Sequence, residues 1–347
     1  MSNRIGVGIL GASGYTGADL VRLLSQHPQT EIRVITANAH AGKEMAEVFP
    51  HLRPLNLPRL EKAEDANWDG VDAVFGALPH GASQDLIATL PERIKVIDLS
   101  ADFRLRDPDI YAEWYGRSHD APELLGNAVY GLTEHYREEL KTARLAACPG
   151  CYPTAALLAL IPPLREGAIR AEDIIIDAKS GASGAGRGVK ETTLFCEVAE
   201  ALHPYGIASH RHSPEIEQEL GRAAGTALNV TFTPHLVPMN RGELVTCYVK
   251  LAEGRTADDL RRVLSGRYAD EPFIHVLEAG AVPATRQVRG SNHCVIGVFA
   301  DRIPGRAIVV GTIDNLVKGS SGQAVQNFNL MFGLEETTAL EQLPMFP

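Results

Sequence analysis

Three features that would place a chain in an obvious class are missing here: long hydrophobic runs, an even-numbered cysteine framework and an excess of basic residues. The longest apolar run, residues 155–161, ends at Pro162 and is too short to span a bilayer, so we expect no membrane partner. The formal net charge of −10 argues against a broad nucleic-acid-binding surface, although a local basic pocket for phosphates remains open. No secretory signal is expected, because residues 1–4 lead directly into a strand-like segment.

The five cysteines are an odd number spread over a long chain, which argues against a secreted disulfide framework. Cys148 and Cys151 form a C-x-x-C, which is typical of a redox pair or of half a zinc site. No second C-x-x-C or nearby histidine pair completes a tetrahedral site, so no metal is expected. We therefore expect a cytoplasmic protein with reduced thiols.

The chain is long enough for two domains, and its first part has the pattern of an α/β fold. Short apolar segments at 5–10, 31–36 and 71–77 read as strands, and helical patterns separate them. Strands alternating with helices through residues 1–147 predict an open, doubly wound parallel sheet.

The rest of the chain has a different texture. Residues 148–313 are rich in β-like segments, and a turn at 301–305 joins two of them as a hairpin would. This predicts an α+β domain with a mixed, largely antiparallel sheet. Residues 314–347 include a helical pattern, 315–331, which we expect to pack back on the first domain.

A glycine-rich loop, GASGYTG, lies between the first predicted strand and the first predicted helix. Gly11, Gly14 and Gly17 would permit a tight turn and let backbone N–H groups approach a pyrophosphate. The pattern G-x-x-G-x-x-G departs from the commoner G-x-G-x-x-G, and a plain glycine turn is the alternative. Its place in a strand–loop–helix unit favours dinucleotide binding.

The end of the second predicted strand bears on the choice of cofactor. A carboxylate there would bind the ribose 2′-OH of NAD and repel the 2′-phosphate of NADP. The chain instead has Asn38, with Lys43 nearby and no acid before Glu44. We therefore expect NADP(H).

Two loops that follow later strands are candidate ligand contacts, because ligands in open α/β sheets bind outside the carboxyl ends of strands. Pro79, in the loop 77–81, could border the cofactor, and an ordinary turn is the alternative. Arg104 could hold a phosphate or carboxylate through a bidentate fork. It could equally be a surface arginine paired with Asp102.

Cys151, in ACPGCYPT, lies on a Pro-Gly turn just before an apolar helical segment. The N–H groups and dipole of a helix N-terminus favour a thiolate, so Cys151 is a candidate nucleophile toward an activated acyl group. The segment HRHSPEI places His210 and His212 before another helix, and a histidine there could move a proton near neutral pH. Hydrogen-bonded surface histidines are the alternative.

A second glycine-rich segment, KSGASGAGR, occupies residues 179–187. Its small residues would let a ligand lie against the backbone, and Arg187 could bind a phosphate. A flexible loop without a ligand is the alternative.

Six motifs in order carry a resemblance that none of them carries alone. They are GASGYTG, ACPGCYPT, KSGASGAGR, HRHSPEI, FTPHLVPMNRGEL and DNLVKGSSGQAVQN, and they span residues 11–328. In these motifs the chain resembles the N-acetyl-γ-glutamyl-phosphate reductases, the arginine-biosynthetic relatives of aspartate-semialdehyde dehydrogenase. The resemblance implies an NADP-binding Rossmann domain, 1–147 completed by 314–347, and a catalytic and dimerisation domain, 148–313.

The resemblance also implies a chemistry. NADPH would reduce a small acyl phosphate to a semialdehyde through a thioester on Cys151, with His212 as the acid/base and His210 as its fallback or a substrate neighbour. Arg104 and Arg211 would lie near the substrate, and the chain would form a homodimer or homotetramer. Taken with the strand ends, the expected cofactor contacts are Gly11, Ser13, Gly14, Tyr15, Thr16, Gly17, Asn38, Pro79, Ser180, Gly181, Gly184 and Asn315.

Three other functions stay open. A reductase whose acyl phosphate is borne on a small acidic carrier protein would favour a basic rim, which the net charge of −10 disfavours. Aspartate-semialdehyde dehydrogenase carries its histidine in a different local sequence. A non-catalytic NADP-binding sensor would have no need of an activated thiol.

Overall fold

The structure is a computed structural model that describes residues 4–346, and the chain divides into two compact units. The first consists of Met1–Pro149 and Ser320–Glu341, the second of Gly150–Gly319 and Gln342–Pro347. The boundaries differ from the expected ones, 1–147 with 314–347 and 148–313. The structure groups 148–149 with the first unit, and 314–319 and 342–346 with the second. In the second unit the Asn315 side chain accepts a hydrogen bond from the Gly242 amide at 2.8 Å.

The first unit is built on a sheet of six short strands. In chain order these are β1 (Ile5–Leu10), β2 (Thr30–Ile35), β3 (Ala73–Gly76), β4 (Lys95–Asp98), β5 (Ala128–Tyr130) and β6 (Leu145–Ala147). The sheet order is β2-β1-β3-β4-β6-β5, and every neighbouring pair is parallel. β1, β3 and β4 are buried along nearly their whole length, as strands with both faces covered must be. The predicted doubly wound parallel sheet is confirmed.

Helices connect these strands, and one from the far end of the chain joins them. They are α1 (Tyr15–Leu24), α2 (Met45–Val48), α3 (Gln84–Thr89), α4 (Pro108–Tyr115), α5 (Pro122–Leu125), α6 (Thr133–Thr142) and α11 (Gly322–Met331). α11 packs against α6, α1 and β4, and all ten of its residues are buried. The buried Asn327 side chain of this helix donates to the Gly131 carbonyl at 2.9 Å. A polar residue buried in this way is stabilising only because its partner is present.

The helix predicted at 315–331 begins later than expected, at Gly322. The Asp314 carboxylate accepts hydrogen bonds from the backbone of Leu316 and Val317, at 2.8 and 3.2 Å. A π-turn over Val317–Ser321 follows before the α-helix starts. The side-chain–backbone bonds of Asp314 therefore hold the first residues in a turn.

The second unit contains a sheet of seven strands. These are β7 (Ile174–Gly181), β8 (His203–Pro204), β9 (Val230–Val237), β10 (Glu243–Lys250), β11 (Ile274–Val276), β12 (Cys294–Ala300) and β13 (Arg306–Ile313). Their order is β11-β12-β13-β10-β7-β9-β8, with β11–β12 and β7–β9 parallel and the other pairs antiparallel. The predicted mixed, largely antiparallel sheet is confirmed.

Among residues 4–346, the α-helices of the second unit are α7 (Cys151–Arg165), α8 (Phe195–Val198), α9 (His212–Ala224) and α10 (Ala257–Arg267). α7 packs on β10, β13, α9 and α10. It continues through Pro162 and Pro163 to Arg165, past the point where the apolar run of the sequence ends. Within residues 4–346, no helix combines the length and apolarity that crossing a membrane requires.

The strand order of the first sheet reverses between β1 and β3, and the loops after these two strands lie side by side. Gly11 has φ +75°, and a Cβ built on it would lie 2.4 Å from the Ala77 carbonyl oxygen. A Cβ on Gly17 would lie 2.5 Å from the Gly11 carbonyl oxygen. Only glycine fits these two positions. Gly14 is different, because its Cβ would meet nothing closer than 3.6 Å.

The contrast between Gly17 and Gly14 is testable by unfolding. Gly17→Ala should lower the free energy of unfolding by about 1–3 kcal/mol, because the methyl group must displace backbone. Gly14→Ala, in the same loop with an extended backbone, should change it by less than about 0.5 kcal/mol. Urea denaturation followed by circular dichroism measures both. Alanine is the better helix former, so a gain in stability for Gly17→Ala would contradict the close packing.

Candidate active site

The loop and helix after β1 fit the phosphates of a dinucleotide. α1 begins at Tyr15 with Gly14 at its N-cap, and its first turn contains no acidic residue. A helix N-terminus of this kind presents backbone N–H groups and a partial positive charge to an anion. Ser13 and Thr16 are half-buried, Tyr15 is exposed, and the Thr16 hydroxyl lies 3.3 Å from the Ser320 hydroxyl. The space that a side chain at Gly11 or Gly17 would fill is closed by backbone, which shapes a close-fitting cradle.

The surroundings of the β2 end are less simple than the sequence indicates. Asn38 is exposed just beyond the strand. Glu44, the first acid that follows, caps α2 and accepts a hydrogen bond from Arg59 Nη2 at 3.0 Å. Glu61, however, forms a β-bridge with Thr36, so a second acid lies beside the strand end. The position of Glu61 beside this strand end is not evident from the sequence, because a long excursion of the chain separates it from β2.

The buried carboxylate of Asp102 holds the loop after β3 through hydrogen bonds to its backbone. Asp102 accepts hydrogen bonds from the Gly81 amide at 2.6 Å and from the Ser83 amide at 3.2 Å. Asp102 has no exposed surface, whereas Pro79 at the top of the loop is exposed. The structure therefore places Pro79 on a fixed loop beside the loop that contains Gly11.

Arg104 lies beyond β4 and only 8% of its surface is exposed, so the alternative of a surface arginine is wrong. Its Nε donates to the Cys148 carbonyl at 2.8 Å and its Nη2 to the Leu99 carbonyl at 2.9 Å. These bonds fix the plane of the guanidinium group and use two of its five N–H groups. Burial raises the pKa of the nearby Asp98 carboxyl to about 7, and the charge of Arg104 opposes that rise.

Cys151 is the first residue of α7 and is half-buried, while residues 152–164 behind it are fully packed. The amide of Gly150, at the N-cap, donates to Glu215 Oε1 at 2.9 Å, and Glu215 itself is 1% exposed. Gly319 packs closely against the cysteine, since a Cβ built on Gly319 would lie 2.8 Å from the Cys151 Cβ. The thiol is thus held at the end of a rigid helix.

Cys148 has a different environment although it is only three residues away. It has no exposed surface, and burial raises the pKa of its thiol to about 12. Its sulfur accepts a hydrogen bond from the Asn327 amide at 3.5 Å. Cys148 is therefore a packed residue of the first unit. Neither cysteine is in a disulfide, and residues 4–346 contain no group of three or more His, Cys, Asp or Glu arranged to hold a metal ion.

The two predicted histidines meet at the residue that follows Cys151. The Tyr152 ring centroid lies 5.9 Å from that of His210 and 5.8 Å from that of His212, and the two imidazoles are 4.7 Å apart. Tyr205 joins the group, since its hydroxyl donates to the Tyr152 hydroxyl at 3.1 Å. The structure therefore brings His210 and His212 together around Tyr152, the residue that follows Cys151.

The environment of His210 restricts what it can do. Burial, followed by the positive charge of Arg211, lowers the pKa of His210 to about 4. Its Nδ1 accepts a hydrogen bond from the His212 amide at 3.1 Å, which requires an unprotonated nitrogen. His210 is therefore neutral across the physiological pH range and acts there as a hydrogen-bonding group.

Glu243, the first residue of β10, is the acidic member of this cluster, and the sequence analysis assigned it no role. Its side chain has no exposed surface. Burial raises the pKa of its carboxyl to about 8, a hydrogen bond with Cys151 opposes the rise, and the charge of Asp314 adds to it. A carboxyl group with such a pKa can exchange a proton near neutral pH.

The second glycine-rich segment forms the end of β7 and the turn after it. The Gly181 amide donates to the Gly242 carbonyl at 2.9 Å, and Asn315 accepts from the Gly242 amide at 2.8 Å. A Cβ on Gly184 would lie 3.0 Å from the Ser180 hydroxyl oxygen and 3.7 Å from the Asn315 amide nitrogen. The predicted cofactor residues Ser180, Gly181, Gly184 and Asn315 are therefore neighbours. Arg187 and Arg211 are exposed, Arg211 at the N-cap of α9.

Two protein-family models match the chain and show which family it belongs to. Residues 6–143 match the semialdehyde dehydrogenase NAD binding domain, and residues 151–315 match the semialdehyde dehydrogenase dimerisation domain. The chain belongs to the semialdehyde dehydrogenase family.

Curated relatives place this semialdehyde dehydrogenase on one branch of the family. It is 56% identical to the N-acetyl-gamma-glutamyl-phosphate reductase of Rhodospirillum rubrum, over the whole of both chains. It is 55% identical to a probable chloroplastic N-acetyl-gamma-glutamyl-phosphate reductase of Arabidopsis thaliana, covering 99% of this chain and 86% of the relative. The resemblance read from the six motifs is confirmed.

Solved structures show the same fold in more distant members of the semialdehyde dehydrogenase family. An aspartate semialdehyde dehydrogenase II of Vibrio cholerae aligns with a TM-score of 0.70 at 17% identity, over 95% of this chain and 98% of that one. An aspartate semialdehyde dehydrogenase of Candida albicans, solved with NADP, aligns with a TM-score of 0.68 at 18% identity, over the same shares. The predicted fold class is confirmed.

Several residues of the cluster in this semialdehyde dehydrogenase escaped the sequence analysis. Tyr152 stands in a motif that was singled out, but only the neighbouring cysteine drew attention. Glu243 stands at the end of the motif FTPHLVPMNRGEL, where an acid at the start of a strand reads as solvent-facing. Its complete burial depends on pairing with β7 and β13, which only the folded sheet reveals.

Proposed function

We propose that this enzyme reduces N-acetyl-γ-glutamyl phosphate to N-acetyl-L-glutamate 5-semialdehyde and phosphate in arginine biosynthesis, through a thioester on Cys151. The names of relatives that are 52–56% identical over nearly the whole chain support the substrate. The observation that carries the mechanism is the position of Cys151 at the N-terminus of α7. The next residue, Tyr152, packs against the rings of His210 and His212.

NADP(H) is the proposed cofactor. The residues proposed to hold it are those of the Gly11–Gly17 loop with Ser13, Tyr15 and Thr16, and Asn38, Pro79, Ser180, Gly181, Gly184 and Asn315. Bound NADPH supplies the hydride that reduces the thioester carbon. The exposed Asn38 and Lys43 and the engagement of Glu44 with Arg59 support NADP over NAD. Glu61 beside Thr36 is the feature that opposes this preference.

Cys151 is proposed to form the covalent intermediate. Its thiolate attacks the acyl carbon, the S–C bond forms, the bond from carbon to the phosphate oxygen breaks, and phosphate leaves. Backbone N–H groups in the first turn of α7 are suited to stabilise the oxyanion that forms during this attack. Arg104 and Arg211 are the proposed contacts of the substrate, as planar donors for its phosphate or carboxylate.

His212 is the proposed acid/base. It protonates the oxygen of the reduced adduct on Cys151 and takes the proton back as the C–S bond breaks and the aldehyde leaves. The low pKa of His210, about 4, supports the choice of His212, because His210 holds no proton to give near neutral pH. His210 is then a positioning residue that accepts the His212 amide.

The substrate and nucleophile are tested together in the oxidative direction. Wild-type enzyme should reduce NADP when given N-acetylglutamate semialdehyde and phosphate, more efficiently than with NAD and far more than with aspartate semialdehyde. Cys151→Ser should abolish this activity and retain NADPH binding, measured by fluorescence titration, while Cys148→Ser should remain active. Full activity of Cys151→Ser would contradict the thioester. Activity only with a carrier-linked substrate, or NADPH binding without turnover, would point to the alternative functions.

The two histidines are separated by their pH–rate profiles. His212→Asn should lower kcat by about 10²–10⁴-fold, as expected for the loss of an acid/base. The limb of its pH–rate profile near neutral pH, where the rate changes with pH, should also disappear. His210→Asn is the matched control and should keep that limb, because a group with a pKa of about 4 does not titrate there. The opposite pattern, with the limb lost only in His210→Asn, would exchange their roles.

A homodimer or homotetramer is the proposed assembly, and the cytoplasm is the proposed compartment. The matched dimerisation domain supports self-association. So does an apolar cross-strand pair on the sheet of the second unit, Ile175 and Tyr248, with 40% and 36% of their surfaces exposed. Sedimentation velocity tests the assembly, and a single species at the monomer mass of 37.5 kDa would contradict it. The five thiols, none in a disulfide, support a reducing compartment.

A further inference from the structure

Glu243 is a buried carboxyl group that the mechanism above leaves without a role. Its side chain has no exposed surface, and no nitrogen or hydroxyl donor among residues 4–346 reaches either carboxyl oxygen. Its hydrogen-bond neighbour is the Cys151 thiol. A buried carboxylate without donors is costly, so a structural role alone does not account for an acid here.

The groups that face Glu243 come from several elements. Asp314, after β13, adds negative charge, and its own carboxylate lies 3.4 Å from Arg241 Nη1, so that charge is partly balanced. Burial raises the pKa of both Tyr152 and Tyr205, and the charges of Glu243 and Cys151 add to that rise. Both tyrosines therefore stay protonated. Within this set, the group that hydrogen-bonds to Glu243 is therefore the Cys151 thiol.

We propose that Glu243 is the proton partner of Cys151, accepting the thiol proton when the nucleophilic thiolate forms. In this step the S–H bond breaks, an O–H bond forms on the carboxyl group, and the pair keeps its net charge of −1. The inference rests on the proposed function, because it gives a base to the cysteine that the thioester mechanism requires.

The chemistry of the two groups is well matched for such an exchange. Burial raises the pKa of Glu243 to about 8, close to the ordinary thiol value of about 8.5. A proton shared between groups of similar pKa moves at little cost, and the two titrate as a pair. Glu243 thereby becomes a stronger base than an exposed carboxylate, by roughly four pKa units.

The same transfer solves the problem of the buried charge. When the thiolate attacks and becomes an uncharged thioester, Glu243 keeps the proton and is also uncharged. When the aldehyde leaves and the thiolate returns, the protonated carboxyl group can donate a hydrogen bond to the sulfur. At no point in the covalent part of the cycle does the site hold an isolated buried carboxylate.

The test uses alkylation of Cys151 instead of turnover. In a Cys196→Ser background, which removes the exposed competing thiol, Cys151 is alkylated with neutral iodoacetamide and with anionic iodoacetate across neutral to alkaline pH. In the wild-type pair the iodoacetate-to-iodoacetamide rate ratio should fall about tenfold as Glu243 ionises, because like charges in contact shift equilibria by about one pKa unit or more. Mass spectrometry of the Cys151 peptide reports each rate.

Three variants sharpen the result. In Glu243→Gln the iodoacetate-to-iodoacetamide rate ratio should no longer change with pH. Glu243→Asp keeps a carboxyl group, so its ratio should fall with rising pH as in the wild type. Glu217→Gln is the matched control: burial also raises the pKa of Glu217, but that carboxyl accepts the Val230 amide at 3.0 Å, so the ratio should behave as in the wild type. A flat wild-type ratio, or the same step in Glu243→Gln, would overturn the proposal. If Glu243→Gln does not fold, the wild type and Glu243→Asp still decide.

These outcomes are independent of the reaction assigned above. No substrate or cofactor is present during alkylation, so a protein inactive toward N-acetylglutamate semialdehyde could still show the coupled titration. Conversely, an active enzyme with a flat ratio would retain the proposed function and lose only the role of Glu243.

Discussion

The packing of α7 determines where Cys151 lies, and the polar cluster of the second unit is arranged around that position. Every residue of α7 from 152 to 164 is buried, against β10 and β13 on the sheet side and against α9 and α10 on the helix side. A helix enclosed in this way can move neither along its axis nor about it without opening cavities, which cost several kcal/mol each. Its N-terminus is therefore a fixed point, and the thiol is fixed with it.

The same packing explains how chemically similar residues acquire different properties. Burial raises the pKa of the Cys148 and Cys247 thiols to about 12, so both stay protonated. Cys151 differs from both in its surroundings, because the helix end leaves it half-buried. The histidines follow a parallel rule: burial keeps His210 neutral, and its Nδ1 then serves as an acceptor for the next turn of backbone.

The sequence allows prediction of those parts of the fold and site that depend on neighbouring residues. β1, the loop to Gly17 and α1 form one continuous segment, and the glycine requirement at Gly11 arises from a turn within it. Cys151 and the HRH segment are likewise recognisable because each lies at the start of a helix. The fold class follows from the alternation of strands and helices.

Residues whose role depends on distant pairing could not be predicted in this way. Glu61 reaches the end of β2 only through a bridge to Thr36, and Tyr205 reaches Tyr152 through a loop of the folded second unit. The late start of α11 has a similar origin, because the Asp314 side chain competes with helical hydrogen bonds. Periodicity and composition carry no information about such contacts.

Asp98, a buried carboxyl group in the first unit, can be compared with Glu243 in the second. Asp98, in the first unit, is equally buried, and burial raises its pKa to about 7. The protein surrounds it with donors: the Ser100 hydroxyl at 2.6 Å and the Ser100 amide at 3.2 Å, with the charge of Arg104 in support. A carboxylate that serves structure is thus supplied with donors by its own neighbours. Glu243 has no such donors and lies beside a thiol. This arrangement is expected for a carboxyl group that gains and loses a proton during the reaction, whereas a structural carboxylate keeps one protonation state.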